Sequence, residues 1–274
     1  MEYREHAPPP QLAPYVTCFW EIASAGEPHR VLPDGAMDVL YAEGAPRARV
    51  IGPMTRALMT ERGAPGWAVG VRFRPGAAID MLGVAARELR DDGAAAADVW
   101  GGRGRALDAR LSDARDPRAA IAAIADELRA RLAGARAPDA RVARAVATLR
   151  AAGGELPIPA VAAQVGVGER QLERLFDERV GYGPKLFARV VRLERSTAAI
   201  DRALSRGSLA SWARLALECG YADQAHLVRE FRALTGVTPA VFARARDVAH
   251  GAADEAGMSE IDNPADGAAL TFSE

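Results

Sequence analysis

The chain contains one pattern twice: QLERLFDERVGYGPKLFAR at residues 171–189 returns as HLVREFRALTGVTPAVFAR at residues 226–244. Eight residues recur at an offset of 55 positions: Leu172, Arg174, Phe176, Gly181, Pro184, Phe187, Ala188 and Arg189 return as Leu227, Arg229, Phe231, Gly236, Pro239, Phe242, Ala243 and Arg244. Two upstream residues recur at an offset of 54: Ala162 and Gly166 return as Ala216 and Gly220. Because so many identities share one spacing, the repeat indicates a duplicated structural unit whose second copy has one extra residue at its turn or helix start.

Each copy has the pattern of two helices joined by a glycine turn. In the first copy, residues 158–165 form a short apolar helix, residues 166–168 the turn, and residues 169–180 the second helix. In the second copy, residues 211–219 lead to the turn, and Asp223 caps a helix that ends near Leu234. Glycine permits the left-handed backbone that joins two helices at a steep angle, so the pattern predicts two helix-turn-helix units.

The second helix of each copy is amphipathic. Leu172, Leu175 and Phe176 are spaced to face inward in the first copy, as are Leu227 and Phe231 in the second. The opposite faces carry Arg170, Glu173, Arg174 and Asp177 in the first copy and Gln224, Val228, Arg229 and Arg232 in the second. Such a helix fits the major groove, where Arg pairs with guanine and Gln with adenine. A repeated helical hairpin also fits a protein–protein interaction module, in which these polar faces are only solvated.

Charge is unevenly distributed along the 274 residues, although the formal net charge is only −1. Residues 139–246 hold 17 basic and 11 acidic residues, whereas residues 247–274 hold seven acidic residues and no Lys or Arg. The basic block suits a surface that binds phosphates. The acidic end has few large apolar residues and is predicted to be a disordered tail.

Residues 1–115 are predicted to form a β-rich, sensor-like domain. Short apolar runs lie at 17–22 and 37–41, and Trp67, Val69, Val71 and Phe73 alternate with small or polar residues, as in a half-buried strand. Residues 116–138 are predicted to be a helix and linker, with an Asp116 cap followed by Pro117. The helix carries an apolar stripe that packs on the β domain or forms a homodimer seam: Ile121, Ile124, Leu128 and Leu132.

The remaining residues argue against several other classes of protein. The two cysteines, Cys18 and Cys219, form no framework for disulfides and are predicted to be small buried residues in a reducing, cytoplasmic compartment. No stretch has the length of a membrane helix, and the first ten residues do not resemble a signal peptide. Four histidines without a nearby carboxylate cluster give no basis for a metal, a cofactor or catalysis. Four charged residues are either turn and strand-edge residues or the lining of a polar ligand pocket: Asp34, Asp38, Arg72 and Arg74.

Residues 142–246 resemble the DNA-binding domain of the AraC/XylS regulator family. The resemblance is carried by residues 220–227 (GYADQAHL), followed by Arg229, Phe231, Thr235-Gly236, Thr238-Pro239 and Phe242. It implies two helix-turn-helix units joined by a long helix at 184–204, with second helices about 34 Å apart on one face of double-stranded DNA. RNA polymerase is a further candidate partner. The base-reading positions that the resemblance implies are Arg170, Glu173 and Arg174 in the first unit and Gln224, Ala225, Val228 and Arg229 in the second. Glu173 and Glu230 depart from the family pattern.

The N-terminal half resembles an uncharacterised sensor-like domain often attached to this unit. The matching segments lie at 31–35, 70–76, 82–84 and 98–101. The resemblance implies a cupin-like β barrel or sandwich that binds a small-molecule effector or dimerises. The expected fold class is therefore α+β, a β-rich domain followed by an all-α domain at 139–246. The expected function is sequence-specific transcription regulation, and the alternative is a helical interaction module without DNA binding.

Overall fold

The computed structural model of the protein describes residues 2–60, 62–207 and 211–255. The strands all lie before residue 96, and two of them, β3 and β6, have only two residues each. Their bounds are β1 (Glu2–His6), β2 (Val16–Ser24), β3 (Arg30–Val31), β4 (Asp38–Ala42), β5 (Arg49–Ile51), β6 (Leu58–Met59), β7 (Gly66–Phe73) and β8 (Gly93–Ala95). The prediction of a β-rich N-terminal domain is confirmed.

The main sheet is open and antiparallel. Its strand order is β1-β2-β7-β4-β5-β8, and β3 and β6 form a separate pair. In the described residues β1 and β8 are the edges of this sheet, and helices cover one of its faces. A two-residue strand pair is too small to act as a second sheet.

The two faces of the sheet are both buried, but against different partners. On β7, Val69, Val71 and Phe73 point into the core formed with the N-terminal helices, as their period-2 spacing predicts. The other face contains Trp20, and its indole lies over Gly70. A Cβ at Gly70 would come within 2.4 Å of the Trp20 ring, so the strand needs glycine there for close approach.

Four helices complete the N-terminal domain, and the first of them lies between β7 and β8: α1 (Ala78–Leu82), α2 (Ala96–Trp100), α3 (Gly102–Ser112) and α4 (Pro117–Arg131). The predicted cap of α4 is confirmed, because Asp116 accepts a hydrogen bond of 2.8 Å from the Ala119 backbone N–H. Ile124 and Leu128 are 0% exposed and belong to the core beneath the sheet. The apolar stripe of α4 therefore packs on the chain's own β domain, with Ile121 and Leu132 partly buried against the same core.

The C-terminal part is all α-helical. Its helices are α5 (Ala140–Ala151), α6 (Ile158–Val165), α7 (Glu169–Arg179), α8 (Pro184–Ser205), α9 (Trp212–Glu218), α10 (Gln224–Thr235) and α11 (Pro239–Glu255). These bounds agree with the predicted helices within one or two residues. The last helix extends to Glu255, into the segment that was expected to be a disordered tail from residue 247. Residues 256–274 of that expected tail lie outside the described residues.

The sequence repeat corresponds to a repeat in packing. Phe176 meets Phe187 edge-on with ring centroids 5.9 Å apart, and their counterparts Phe231 and Phe242 meet edge-on at 5.4 Å. Each pair is buried in its own small core, so the two units are structural copies joined by α8.

The two cysteines fit their predicted role. Cys18 and Cys219 are free thiols and both are buried. Burial raises the pKa of Cys18 to about 12, so its thiol stays protonated and behaves as an apolar group. In the portion of the chain with described coordinates, no helix is both long and apolar enough to cross a membrane.

Candidate nucleic-acid interface and interdomain cavity

Glycine turns set the angle between the two helices of each unit. Gly166 ends α6 with a φ of 72°, and Gly220 follows α9 with a φ of 80°. Both values lie in the left-handed region, which a residue with a Cβ adopts at a cost. Asp223 then caps α10 by accepting a 2.7 Å hydrogen bond from the His226 backbone N–H, as predicted from the sequence.

The outer faces of α7 and α10, which we call the recognition helices, are open to solvent. In α7, Arg170, Glu173 and Arg174 are exposed. In α10, Gln224, Ala225 and Arg229 are exposed, and Val228 is half-buried. The inward residues Leu172 and Phe176, and their counterparts Leu227 and Phe231, are completely buried. Each recognition helix therefore buries one stripe and presents its predicted base-reading positions outward.

Glu173 differs from the other base-reading candidates because its carboxylate turns toward its own chain. A Cβ built on Gly183 would lie 2.4 Å from Glu173 Oε2. Gly183 is the N-cap residue of α8, where the helix dipole favours a negative charge. Partial burial, with a smaller contribution from Asp177, raises the pKa of Glu173. The departure from the family pattern thus places an acid at the start of the connecting helix.

Glu230, the second departure, joins α10 to α8. Its carboxylate lies 2.9 Å from Arg189 Nε and 3.0 Å from Arg192 Nη2. His226 on the same helix lies 3.7 Å from Glu230 Oε1. A carboxylate shared by two guanidinium groups of another helix is a geometrically specific, charge-assisted contact. Glu230 therefore fixes the second recognition helix on the connecting helix rather than contacting a base.

The same face of α8 also holds the loop between α5 and α6. Arg192 donates a 2.7 Å hydrogen bond to the Gly154 carbonyl, and Arg195 donates to the Gly153 carbonyl at 3.2 Å. Arg195 also reaches Glu155 at 2.6 Å and the Glu218 carbonyl, at the end of α9, at 2.8 Å. One stretch of α8 thus contacts both helix-turn-helix units, which sets their relative orientation.

The N-terminal domain contacts the carboxyl ends of both recognition helices. Near α7, Arg90 pairs with Asp177, and Arg179 lies 2.9 Å from Asp80. At the end of α10, the Ala57 backbone N–H donates a 2.6 Å hydrogen bond to the Leu234 carbonyl. Arg30 donates a 2.5 Å hydrogen bond to the Thr235 carbonyl beside it. These contacts leave the outer faces of both helices uncovered.

Three of the four predicted ligand-pocket residues come together on the sheet face opposite the main core. Arg72 Nε lies 3.3 Å from Asp34 and 3.7 Å from Asp38. The Trp20 indole N–H donates a 3.1 Å hydrogen bond to Asp38. Burial raises the pKa of Asp38 to about 7, against the opposing effect of Arg72.

Arg74, the fourth predicted residue, is not part of this group. It follows the end of β7, is exposed, and donates a 2.7 Å hydrogen bond to the Ala13 carbonyl. Because the strand ends at Phe73, the alternation that would place Arg74 on the same side as Arg72 no longer applies.

A cavity of about 340 Å³ separates this sheet face from the helical domain. Asp34, Asp38 and Arg72 line it on one side, and Arg150 of α5 and Glu194 of α8 line it on the other. Arg150 lies 3.3 Å from Glu194 and donates to the Asp34 carbonyl at 3.3 Å. Burial raises the pKa of Glu194 to about 7. The sequence patterns did not reveal Arg150 and Glu194, because only the docking of the two domains brings them to the sheet.

The described residues contain no group of three or more His, Cys, Asp or Glu placed to hold a metal ion. The acidic residues of the cavity are instead interleaved with arginines. What the arrangement supports is recognition by charge and hydrogen bonding at two places, the outer faces of the recognition helices and the interdomain cavity.

Two segments of the chain match known families. Residues 4–94 match a family described as a domain of unknown function (DUF6597), and residues 161–245 match a family described as a helix-turn-helix domain. No curated protein matches the chain.

The chain also matches several solved structures, with TM-scores below 0.5. The C-terminal domain of AraT, a response regulator from Geobacillus stearothermophilus, has 22% identity and a TM-score of 0.35, covering 39% of this chain and 87% of that one. The DNA-binding domain of AdpA in complex with a target DNA has 23% identity and a TM-score of 0.35, covering 40% and 96%. Unsaturated fatty acid bound ToxT from Vibrio cholerae strain SCE256 has 9% identity and a TM-score of 0.40, covering 82% and 93%.

The glycine turns, the duplicated cores and the family match at 161–245 define a protein with a helix-turn-helix domain. This domain is joined to an N-terminal domain that matches a family of unknown function over residues 4–94.

Proposed function

We propose that this protein is a sequence-specific transcription regulator whose recognition helices α7 and α10 enter adjacent major grooves of one DNA site. The observation that carries this proposal is the pair of exposed outer faces, with Arg170 and Arg174 on one and Gln224 and Arg229 on the other. These side chains match the donor and acceptor patterns of guanine and adenine edges. The contacts of α8 with both units support a fixed spacing between the two helices.

Selection of binding sites from randomised duplexes tests the proposal. We expect the full-length protein to enrich a site with two short conserved blocks about one helical turn apart. Arg170→Ala should relax the preference in one block and Arg229→Ala in the other. Arg118→Ala, an exposed arginine of α4 on the N-terminal domain, is the matched control and should leave both blocks unchanged.

Salt dependence distinguishes this function from a helical protein–protein interaction module. A protein that neutralises several phosphates loses affinity steeply as salt rises, with a log–log slope of about −0.9 per phosphate contacted. No enrichment of any sequence, together with a flat salt dependence, would show that the helical repeat serves protein contacts instead.

We further propose that the N-terminal domain controls DNA binding through an effector held in the interdomain cavity. The position of the cavity supports this proposal. The walls of the cavity come from the sheet, from α5 and from α8, and α8 is the helix that connects the two helix-turn-helix units. An occupant that changes the fit between these walls changes the orientation of α8. Comparing DNA affinity of the wild type with that of a cavity-filling variant, Ala36→Leu, tests this coupling. Unchanged affinity in the variant would argue against control through the cavity.

A further inference from the structure

We infer that the interdomain cavity binds a small organic cation, an ammonium group carrying an apolar body, in contact with both domains at once. This inference names the class of effector for the regulator proposed above and rests on that function for its regulatory meaning. Its physical basis is the charge and shape of the cavity, which do not depend on DNA.

Carboxyl groups outnumber the cations available to them around the sheet side of the cavity. Arg72 lies among three acids: Asp34 at 3.3 Å, Asp38 at 3.7 Å and Glu5 at 3.9 Å. Glu194 adds a fourth carboxyl from α8. Arg150 pairs with Glu194, but Arg72 alone is shared by the other three carboxyls, so a second positive charge beside those three is electrostatically favoured.

The arginines that line the cavity are already engaged, which disfavours an anionic ligand. Arg72 is only 9% exposed and is surrounded by acids. Arg150 pairs with Glu194 at 3.3 Å, and Arg246 pairs with Asp201 at 3.9 Å. To reach an arginine, an anion would have to displace its carboxylate partner. The ion pair would be lost, and the anion would lie beside a carboxylate of the same charge.

The carboxyl groups around Arg72 compete for the same cation. Asp34 and Asp38 lie 3.3 Å and 3.7 Å from the same nitrogen, Arg72 Nε, so the two carboxylates share one donor. Burial raises the pKa of Asp38 and of Glu194 to about 7 each, so both groups gain from a cation that stabilises their charged form. An ammonium group beside these carboxyls supplies the donors and the positive charge that they otherwise share from Arg72.

The rest of the cavity wall is apolar, which selects an organic cation over an inorganic one. Its apolar lining comes from the sheet side and from α8: Val31, Leu32, Leu40, Ile51, Met54 and Leu193. A volume of about 340 Å³ is at the small end of pockets that bind organic ligands. A hydrated metal ion gains nothing from such walls, whereas an aryl or alkyl group attached to an ammonium buries its surface against them.

The experiment uses three probes that share one body and differ in charge: phenethylamine, phenethyl alcohol and phenylacetate. Each is titrated calorimetrically into the full-length protein without DNA. We expect phenethylamine to bind at least about tenfold more tightly than the alcohol, and phenylacetate to bind most weakly. Asp38→Asn and Glu194→Gln should each weaken binding of phenethylamine about fivefold or more. The matched control, Asp98→Asn on the exposed side of α2, should bind as the wild type does.

Either of two results overturns the inference: phenylacetate binding as tightly as phenethylamine, or wild-type protein that binds none of the three at millimolar concentration. Unchanged phenethylamine affinity in both acid variants also contradicts it. Thermal unfolding of each variant shows whether it is folded, so a loss of binding can be told apart from a loss of structure. Because no DNA is present, failure here leaves the proposed DNA-binding function intact, and failure of DNA binding leaves this result intact.

Discussion

Arg174 and Arg229 lie at corresponding exposed sites of the two recognition helices, while the neighbouring acids Glu173 and Glu230 turn toward their own chain. Glu173 turns toward Gly183, and Glu230 bridges to Arg189 and Arg192. At the scale of single residues, therefore, the repeat separates side chains that are free to meet DNA from side chains that position the helices.

Arg229→Ala removes one exposed guanidinium from α10 without disturbing the buried Leu227 and Phe231. We expect a loss of about 1–3 kcal/mol in the discrimination between cognate and scrambled duplexes, the value of one good bidentate base contact. Binding is measured on both duplexes at one salt concentration, with Arg118→Ala as the control. A variant that keeps the full discrimination ratio would show that Arg229 does not read bases.

Glu194 gives a prediction for stability against pH. Burial raises its pKa to about 7 in the folded protein, above the ordinary value of 4.5. At a pH between these two values, the carboxyl is still protonated in the folded state but has lost its proton in the unfolded state. Stability therefore falls as pH rises from about 4.5 to 7. Glu194→Gln should remove this loss and raise the free energy of unfolding by roughly 1 kcal/mol near pH 8, after allowing for solvent screening.

Chemical denaturation of both proteins near pH 4 and pH 8 measures the effect. The two should have similar stability near pH 4, where the carboxyl is protonated in both states, and Asp98→Asn provides a control for an exposed acid. A Glu194→Gln variant that is less stable than the wild type near pH 8 would mean that the pair with Arg150 outweighs burial.

At the scale of elements, α8 is the helix that positions the two helix-turn-helix units. Its arginines contact Glu230 of α10, the end of α9, and the loop before α6. These contacts join the two small cores, so the distance between the recognition helices depends on them.

Glu230→Ala leaves Arg189 and Arg192 without their shared carboxylate and loosens α10 on α8. We expect binding to a two-block site to weaken by about tenfold, together with increased tolerance of one extra base pair between the blocks. The control is Glu218→Ala, which removes an exposed acid whose pair lies within α9. If Glu230→Ala weakens binding to all spacings equally, its role is in stability alone rather than in spacing.

The elements that sequence patterns predicted well are those with local signals. Asp116, Asp139 and Asp223 cap the helices that follow them, and the duplicated phenylalanines identified both cores. The helices before residue 112 were missed inside a segment predicted to be strand-rich. In α3, Gly102 and Gly104 lower the helix propensity, and Gly104 is required because a Cβ there would lie 2.3 Å from the Ala96 carbonyl oxygen. The need for glycine at position 104 is explained only by the contact with Ala96 in the folded structure.

The candidate sites follow the same division. Outer-face positions of α7 and α10 could be predicted, because helical periodicity alone determines which side chains oppose the buried stripe. The cavity could be predicted only in part. Asp38 and Arg72 pair on neighbouring strands and Asp34 lies in the loop before β4, but Arg150 and Glu194 come from the other domain, and Arg150 is 116 residues from Asp34 in sequence. No local pattern encodes that docking.

At the scale of the whole molecule, the N-terminal domain holds the carboxyl ends of both recognition helices while leaving their outer faces exposed. Arg90 and Arg179 make the ion pairs near α7, and residues 30 and 57 make the backbone contacts at the end of α10. The cavity lies in the same interface. An effector there is therefore positioned to alter how the two domains meet.

Because the domains share these contacts, we expect calorimetric unfolding of the wild type to show one cooperative transition. Arg90→Ala combined with Arg179→Ala removes both ion pairs near α7 and should split it into two transitions. Arg105→Ala combined with Arg118→Ala, two exposed arginines of the N-terminal domain, is the control and should retain one transition. Two transitions already present in the wild type would show that the interface contributes little to stability.

The central claim is that one chain reads two adjacent major grooves with α7 and α10. Methylation interference on a selected site measures this directly, since it reports which guanine N7 atoms in the major groove the protein needs. The account predicts two clusters of interference about 10 base pairs apart on one face of the duplex, with Arg170→Ala erasing one cluster and Arg229→Ala the other. A single cluster, or two clusters that both variants weaken equally, would contradict it.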